Sequence, residues 1–184
     1  MDFGFDNLIV FAKVTDEDFN LTPQPLVNPQ TRLGARGIIF DEHGNIGVLF
    51  KENKNEFKLP GGGIENGEDA GLAFAREAEE EAGCEIEIKQ FLGNVIEEKS
   101  QENFAQLSFV FVASKTKDLA STNLTEQEKQ EGAKILWLTP QAALEKMKGC
   151  LNNLKASAFD SVYRTGFMVK RDIKILEYYL NKIK

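Results

Sequence analysis

Apolar and polar positions change period several times along the chain, and each change marks an element. ARGIIFDEHGNIGVLFKE carries apolar runs on either side of Glu42, His43, Gly44 and Asn45. The last three of these are turn formers, so the stretch reads as a β-hairpin with His43 exposed in its turn. Residues 57–60 form a short strand leading into Gly61, Gly62 and Gly63, where missing side chains let backbone amides and carbonyls approach a ligand. Residues 68–82 predict one helix, with Leu72, Ala75, Ala78 and Ala82 as a buried stripe small enough to lie close on a sheet. Asn66 and Gly67 end the turn before it, Glu68 and Asp69 place negative charge at its start, and Gly83 supplies a left-handed stop. Residues 85–98 and 104–114 pattern as a long antiparallel pair, with Phe109, Val110, Phe111 and Val112 expected as a fully buried run. KILWL at 134–138 is another strand, and Pro140 opens a helix that ends near Gly149. Residues 172–183 are amphipathic, with Ile173, Leu176, Tyr179, Leu180 and Ile183 on one side.

Strands flanked by a central helix and a C-terminal helix pair predict an α/β protein in three layers. The first thirty residues stand apart from this pattern. Their TPQPLVNPQ stretch reads as an extended linker, which divides the chain into an N-terminal arm and linker, 1–30, and a domain over 31–184. Phe3, Phe5, Leu8, Ile9, Val10 and Phe11 precede the linker, either covering the core of their own domain or offering an apolar contact for a homodimer.

Composition narrows the function classes. At 184 residues with 42% apolar content, the chain can bury one full core. A net charge of -7 and a pI near 4.9 exclude a broad basic surface for long nucleic acid. Cys84 and Cys150 lie far apart without CxxC or Cys/His clustering, which favours reduced thiols and a cytoplasmic setting. No apolar run reaches membrane-spanning length, and the acidic start is unlike a signal peptide, so no membrane partner is expected.

The acidic helix carries the chemistry. Glu77, Glu80 and Glu81 at i, i+3 and i+4 gather three carboxylates on one face, which repel one another by a few tenths of a kcal/mol per exposed pair. A divalent cation would reverse that cost. Oxygen ligands alone suit Mg²⁺ or Mn²⁺ rather than zinc, because no histidine or cysteine shares the face. Three glutamates by themselves read as a solvated acidic surface; the glycine turn, Glu68, Arg76 and Gly83 in phase with them favour a metal site. Arg76 either neutralises Glu79 or Glu80 at the surface or holds Glu77 in one rotamer.

The stretch 62–84, GGIENGEDAGLAFAREAEEEAGC, fits G-x5-E-x7-R-E-U-x-E-E-x-G-U, with U an apolar residue. Gly62, Glu68, Arg76, Glu77, Ala78, Glu80, Glu81, Gly83 and Cys84 fill the fixed positions. This resembles the signature box of the Nudix hydrolases. The resemblance implies an α/β/α sandwich around a central mixed sheet, with similar organisation over roughly 31–150. It implies Mg²⁺ held by Glu77, Glu80, Glu81 and the Gly61 carbonyl, with Mn²⁺ as a substitute and Arg76 fixing Glu77. Gly62, Glu68 and Gly83 would be structural members of the box. The implied reaction is hydrolysis of the pyrophosphate linkage of a small phosphorylated substrate, a nucleoside diphosphate derivative or nucleoside triphosphate, of MutT-like or ADP-ribose-like kind. The general base is either Glu77 or a glutamate outside the box. LTEQEKQEG offers Glu126, Glu128 and Glu131, with Glu131 just before the KILWL strand where some relatives carry such a residue, unless the loop is only an exposed charged linker. Phe104, Phe109 and Trp137 are candidates for base stacking or for core. The alternative function is a nucleotide-binding sensor of the same fold, but sensors usually lose box carboxylates that this chain keeps. The histidine and cysteine ligands of the isopentenyl diphosphate isomerases have no counterpart.

Overall fold

Side chains alternate across the strand Gln30–Phe40 (β2) and split the core in two, Ile38 facing one helical layer and Ile39 the other. Val110 and Val112 join Ile38, whereas Phe111 and Ala113 join Ile39. The computed structural model describes residues 8–182. Its other strands are Val10–Val14 (β1), Ile46–Lys51 (β3), Glu56–Lys58 (β4), Gly61–Gly63 (β5), Cys84–Lys99 (β6), Phe104–Asp118 (β7) and Ala133–Leu138 (β8). They form one mixed sheet in the order β1-β6-β7-β2-β3-β4, with β5 on β2 and β8 on β3. Pro140–Cys150 (α3) and Val162–Lys182 (α4) cover one face through Ala143, Leu144, Met147, Val169, Ile173 and Leu176. Ala70–Glu77 (α1), extended by a π-helical turn over Ala78–Ala82, covers the other. This is the expected α/β/α sandwich.

Several expectations shift in detail. The box helix starts two residues late, because Asp69 caps it by accepting from the Gly71 and Leu72 amides at 2.8 and 3.3 Å. Its buried face runs through Ala73, Phe74, Ala78 and Ala82, and Leu72 is 66% exposed. Phe74 stacks on Phe111 and sets the phase that the leucine was expected to set. Phe109 is half-buried, unlike Val110, Phe111 and Val112. The 41–45 turn is held by Asp41 Oδ1, which accepts from the amides of His43 and Asn45, but the hairpin opens at once. Only Phe40 and Ile46 register, because β2 pairs in parallel with β7 along its whole length and with the glycine strand β5 on its other edge. The C-terminal helix begins ten residues earlier than its amphipathic stretch, at Val162. Within the first thirty residues, β1 pairs in parallel with β6, and Phe11 stacks on Tyr178 with centroids 4.1 Å apart. Phe3, Phe5 and Ile183 lie outside the described residues.

A buried chain of charges ties α4 to the sheet. Lys99 and Arg171 donate to the two oxygens of Glu97, each at 2.8 Å, and Arg171 Nε donates to Asp172 Oδ1 at 2.7 Å. Asp172 Oδ2 accepts the Leu59 amide at 2.8 Å and thereby holds the segment entering β5. Burial alone would raise the Glu97 carboxyl, but Arg171, Lys99 and Arg36 outweigh it and hold it far below the usual range. A depressed carboxyl contributes stability above its unfolded value near 4.5, lost as pH falls toward the folded value. Glu97→Gln is therefore expected to cost about 3–5 kcal/mol at pH 7 and to flatten the loss of stability below pH 5. Urea denaturation at pH 7 and pH 4 checks both, and equal stability of the two proteins at pH 7 would refute the assignment.

Candidate active site

The site begins at the glycine strand. Gly61 has φ +140°, and a Cβ there would overlap the Ala35 carbonyl and the Arg36 side chain, so only glycine lets β5 close on β2. A Cβ on Gly62 would overlap the Glu77 carboxylate. The strand thus presents bare backbone to the acidic helix.

Arg76 organises that helix. Its Nε and Nη2 donate to Glu68 at 3.0 and 3.1 Å, Nη2 also to the Gly63 carbonyl at 3.0 Å, and Nη1 to Glu77 at 3.0 Å and Glu80 at 3.1 Å. Hydrogen bonding to Glu68 is the main reason the guanidinium is raised above its ordinary value. Arg76 thus bonds Glu77 and Glu80 through the same nitrogen. Glu68 lies outside the helix in the preceding turn, where its amide donates to the Glu65 carbonyl.

The π-helical turn directs Glu81 inward, away from the Arg76 cluster. Glu81 is 3% exposed; Oε2 accepts the Gly61 amide at 2.8 Å and Oε1 the Lys58 ammonium at 2.7 Å. Lys58 also donates to the Gly61 carbonyl at 3.3 Å. Burial pushes the Glu81 carboxyl up to about 7 against the pull of Lys58. Gly83 ends the helix at φ +63°, as its position predicted.

The loop glutamates separate. Glu131 is 1% exposed and locked: Oε2 accepts Lys51 at 2.8 Å, Oε1 accepts the Ser157 hydroxyl at 2.7 Å, and Lys54 lies 3.7 Å away. Glu126 pairs with Lys129 on the outside. Glu128, on the short helix Glu126–Gln130 (α2), lines the cleft with Glu81. Burial would raise its carboxyl, but the Thr125 amide, Lys58 and Glu81 hold it below the usual range.

These groups line one cleft of about 540 Å³. Glu77, Glu80, Glu81 and Glu128 form an acidic wall with Gly61, Gly62 and Gly63, and Arg32, Arg36, Lys51, Lys58 and Arg171 also line the cleft. A cavity of about 240 Å³ adjoins it through the shared residues Arg32, Gln106, Asp160 and Met168, and includes Phe104. Phe109 and Trp137 pack on the α1 side of the sheet instead. His43 is exposed in its turn, far from any role in this cleft. Glu128 was one of the three loop candidates, whereas Lys58, Arg32 and Arg36 were not singled out from the sequence. Their signal was the alternation of basic residues with small or apolar ones in TRLGARG and FKLP.

A NUDIX domain model matches residues 30–157, most of the chain. The chain belongs to the Nudix family. It is a Nudix hydrolase by that match and by its relatives. A "MutT-like protein" of Streptomyces ambofaciens is 25% identical over 126 residues, 68% of this chain and 75% of that one. "Nucleoside diphosphate-linked moiety X motif 6" of Xenopus laevis is 32% identical over 101 residues, 53% of this chain and 46% of that one. The Nudix fold recurs in the solution structure of the E. coli ORF135 protein, with a TM-score of 0.54, 17% identity and coverage of 86% of this chain and 94% of that one. It recurs also in the MutT protein of Methanosarcina mazei Go1, with a TM-score of 0.54, 19% identity and coverage of 86% and 99%. No helix among the described residues is long and apolar enough to cross a membrane.

Nudix hydrolases generally use divalent metals. Among the described residues no three acidic, histidine or cysteine side chains enclose an ion as they stand, because Arg76 engages Glu77 and Glu80 while Lys58 engages Glu81. The donor set nonetheless fits a hard cation. It is all oxygen, and an ammonium already rests between the Gly61 carbonyl and Glu81.

The two loop glutamates make opposite predictions. Glu131→Gln leaves Lys51 and Lys54 short of a buried counter-charge and is expected to cost about 3–5 kcal/mol of stability while kcat stays within a few-fold. Urea denaturation and steady-state kinetics check this. A normally stable Glu131→Gln protein with abolished kcat would reverse it.

Proposed function

We propose that this Nudix hydrolase cleaves the pyrophosphate linkage of a nucleoside diphosphate derivative or a nucleoside triphosphate. The observation that carries the reading is the set of four carboxylates and the Gly61 carbonyl around one cleft. The name of the Xenopus laevis relative, "Nucleoside diphosphate-linked moiety X motif 6", supports the substrate class. The adjoining cavity with Phe104 and Met168 supports a place for an apolar group such as a base.

Glu77, Glu80, Glu81 and the Gly61 carbonyl would hold Mg²⁺, with Mn²⁺ as a substitute, and Lys58 would yield its contacts. The bound ion supplies neutralisation of pyrophosphate oxygens and a water of lowered pKa. Glu77 serves as general base, because Arg76 holds its carboxylate on a rigid helix beside the bare backbone of Gly62. Arg76 keeps Glu77 and Glu80 apart from the surface conformers they would otherwise sample. Glu128, rather than Glu131, is the loop residue placed to challenge that assignment.

Cleavage of at least one member of a panel of ADP-ribose, sugar nucleotides, oxidised and normal nucleoside triphosphates and dinucleoside polyphosphates, followed by chromatography of the nucleotide products, is expected with Mg²⁺ and not in EDTA. Glu80→Gln should abolish it without unfolding the protein. Binding of a nucleotide without turnover of any panel member would support the sensor function instead.

Glu77→Gln is expected to lower kcat by roughly 10²–10⁴ at saturating Mg²⁺. An active Glu77→Gln enzyme beside an inactive Glu128→Gln enzyme would move the base to the loop. The metal itself has a separate readout: the melting temperature of the wild-type protein should rise with millimolar Mg²⁺ and that of the doubly substituted Glu77→Gln, Glu80→Gln protein should not.

A further inference from the structure

The same cleft holds a cluster of guanidinium groups from β2 and α4. On β2, Arg32, Gly34 and Arg36 share one face, two residues apart. The parallel register with β7 sets Gln106 beside Arg32 and Ser108 beside Gly34. Gly34 lets these groups crowd together: a Cβ there would lie 3.0 Å from the Gly62 carbonyl oxygen, 3.1 Å from Gln106 Nε2 and 3.2 Å from Arg36 Nη2.

Their hydrogen-bonding capacity is only partly used. Arg36 is 4% exposed, yet its one hydrogen bond is from Nε to the Ser108 hydroxyl at 3.2 Å, and no carboxylate pairs with it among the described residues. Arg32 has no hydrogen bond or ion pair among the described residues, although it borders both cavities. Arg171 is 1% exposed; Nη1 and Nε are taken by Glu97 and Asp172, and Nη2 is buried without an acceptor. Burial and the neighbouring Arg171 lower the Arg36 guanidinium to about 10. Leaving a buried charged donor unbonded carries the full desolvation penalty, and like charges add to it. A multiply charged anion would relieve both.

We infer that Arg32, Arg36 and Arg171, with Gln106, form a phosphate-binding subsite that takes a phosphoryl group of the substrate other than the one held at the acidic wall. Planar forked donors match tetrahedral phosphate oxygens, and three of them on one wall suit a dianion better than a carboxylate. The inference deepens the hydrolase reading and rests on it for the identity of the substrate. The subsite itself does not need the metal. It also orders the cleft: the acidic wall takes one end of the pyrophosphate linkage and the arginine wall the other, leaving the cavity beside Phe104 for the remainder of the molecule.

The test separates the subsite from the chemistry. Inorganic pyrophosphate is titrated into the full-length protein in EDTA and followed by calorimetry, at constant ionic strength held with sodium chloride. Wild type and Glu80→Gln are expected to bind alike, Arg36→Met and Arg32→Met each at least tenfold more weakly, and Arg32→Lys in between. Arg32 is exposed, so its substitution keeps the test intact if Arg36→Met fails to fold. Absence of pyrophosphate binding by the wild type in EDTA, or equal binding by Arg32→Met, would overturn the subsite. Loss of turnover in the substrate panel with pyrophosphate binding retained would instead count against the hydrolase reading alone.

Discussion

Asp172 accepts the Leu59 amide through one oxygen and the Arg171 guanidinium through the other, and so couples the C-terminal helix to the strand on which the cleft is built. Two residues after Leu59 comes Gly61, whose amide and carbonyl meet Glu81 and Lys58. Between them the Pro60 carbonyl accepts the Gly37 amide from β2. The segment is therefore gripped from the helical layer on one side and from the central strand on the other. Removing one member of such a buried pair leaves an isolated charge, at about 3–5 kcal/mol. The placement of the Gly61 backbone is in that sense set from 113 residues away in sequence.

Clustered carboxylates ought to strain the protein, yet each has an internal cation. Arg76 spans Glu68, Glu77 and Glu80, and Lys58 answers Glu81. The two cations differ in kind. Arg76 is a planar fork fixed by five hydrogen bonds, so it sets the rotamers of three glutamates together. Lys58 is a point charge on a flexible stem with two contacts, and it stands between the very oxygens that suit a divalent ion. Geometry is held by the residue that need not move, and charge is balanced by the one that can.

The box and the layers were legible because both rest on local periodicity. Gly83, the capped helix, the long β6–β7 pair and the strand at 133–138 all follow from spacing that the chain displays directly. Leu72 misled because its size suggested burial, whereas the helix phase is fixed by Asp69 capping and by Phe74 on Phe111. The burial of Glu131 was not legible for a different reason. It precedes a strand in the expected way, but its fate depends on Lys51 and Lys54, whose side chains reach it only after β3 and β8 pair. Arg36 and Lys58 belong to the same class, since basic residues inside apolar strands gain meaning only when the rest of the cleft is known.

Glu131 still matters to the cleft through the helix it anchors. At five residues α2 is too short to persist alone in water. Its two ends are held from outside: the Asn123 amide, just before it, donates to the Glu80 carbonyl at 2.9 Å, and the Asn53 amide from the β3–β4 turn donates to the Glu131 carbonyl at 3.1 Å. The buried Glu131 pair with Lys51 adds the side-chain anchor, and Thr125 and Glu128 close a capping box at the other end. With the helix fixed between the acidic box and the sheet, Glu128, three residues before Glu131, lines the cleft together with Glu81. The buried ion pair holds the C-terminal end of this one turn of helix, and the Thr125 amide and hydroxyl, both donating to Glu128 Oε2 at 2.9 Å, hold the cleft-lining carboxylate at the other.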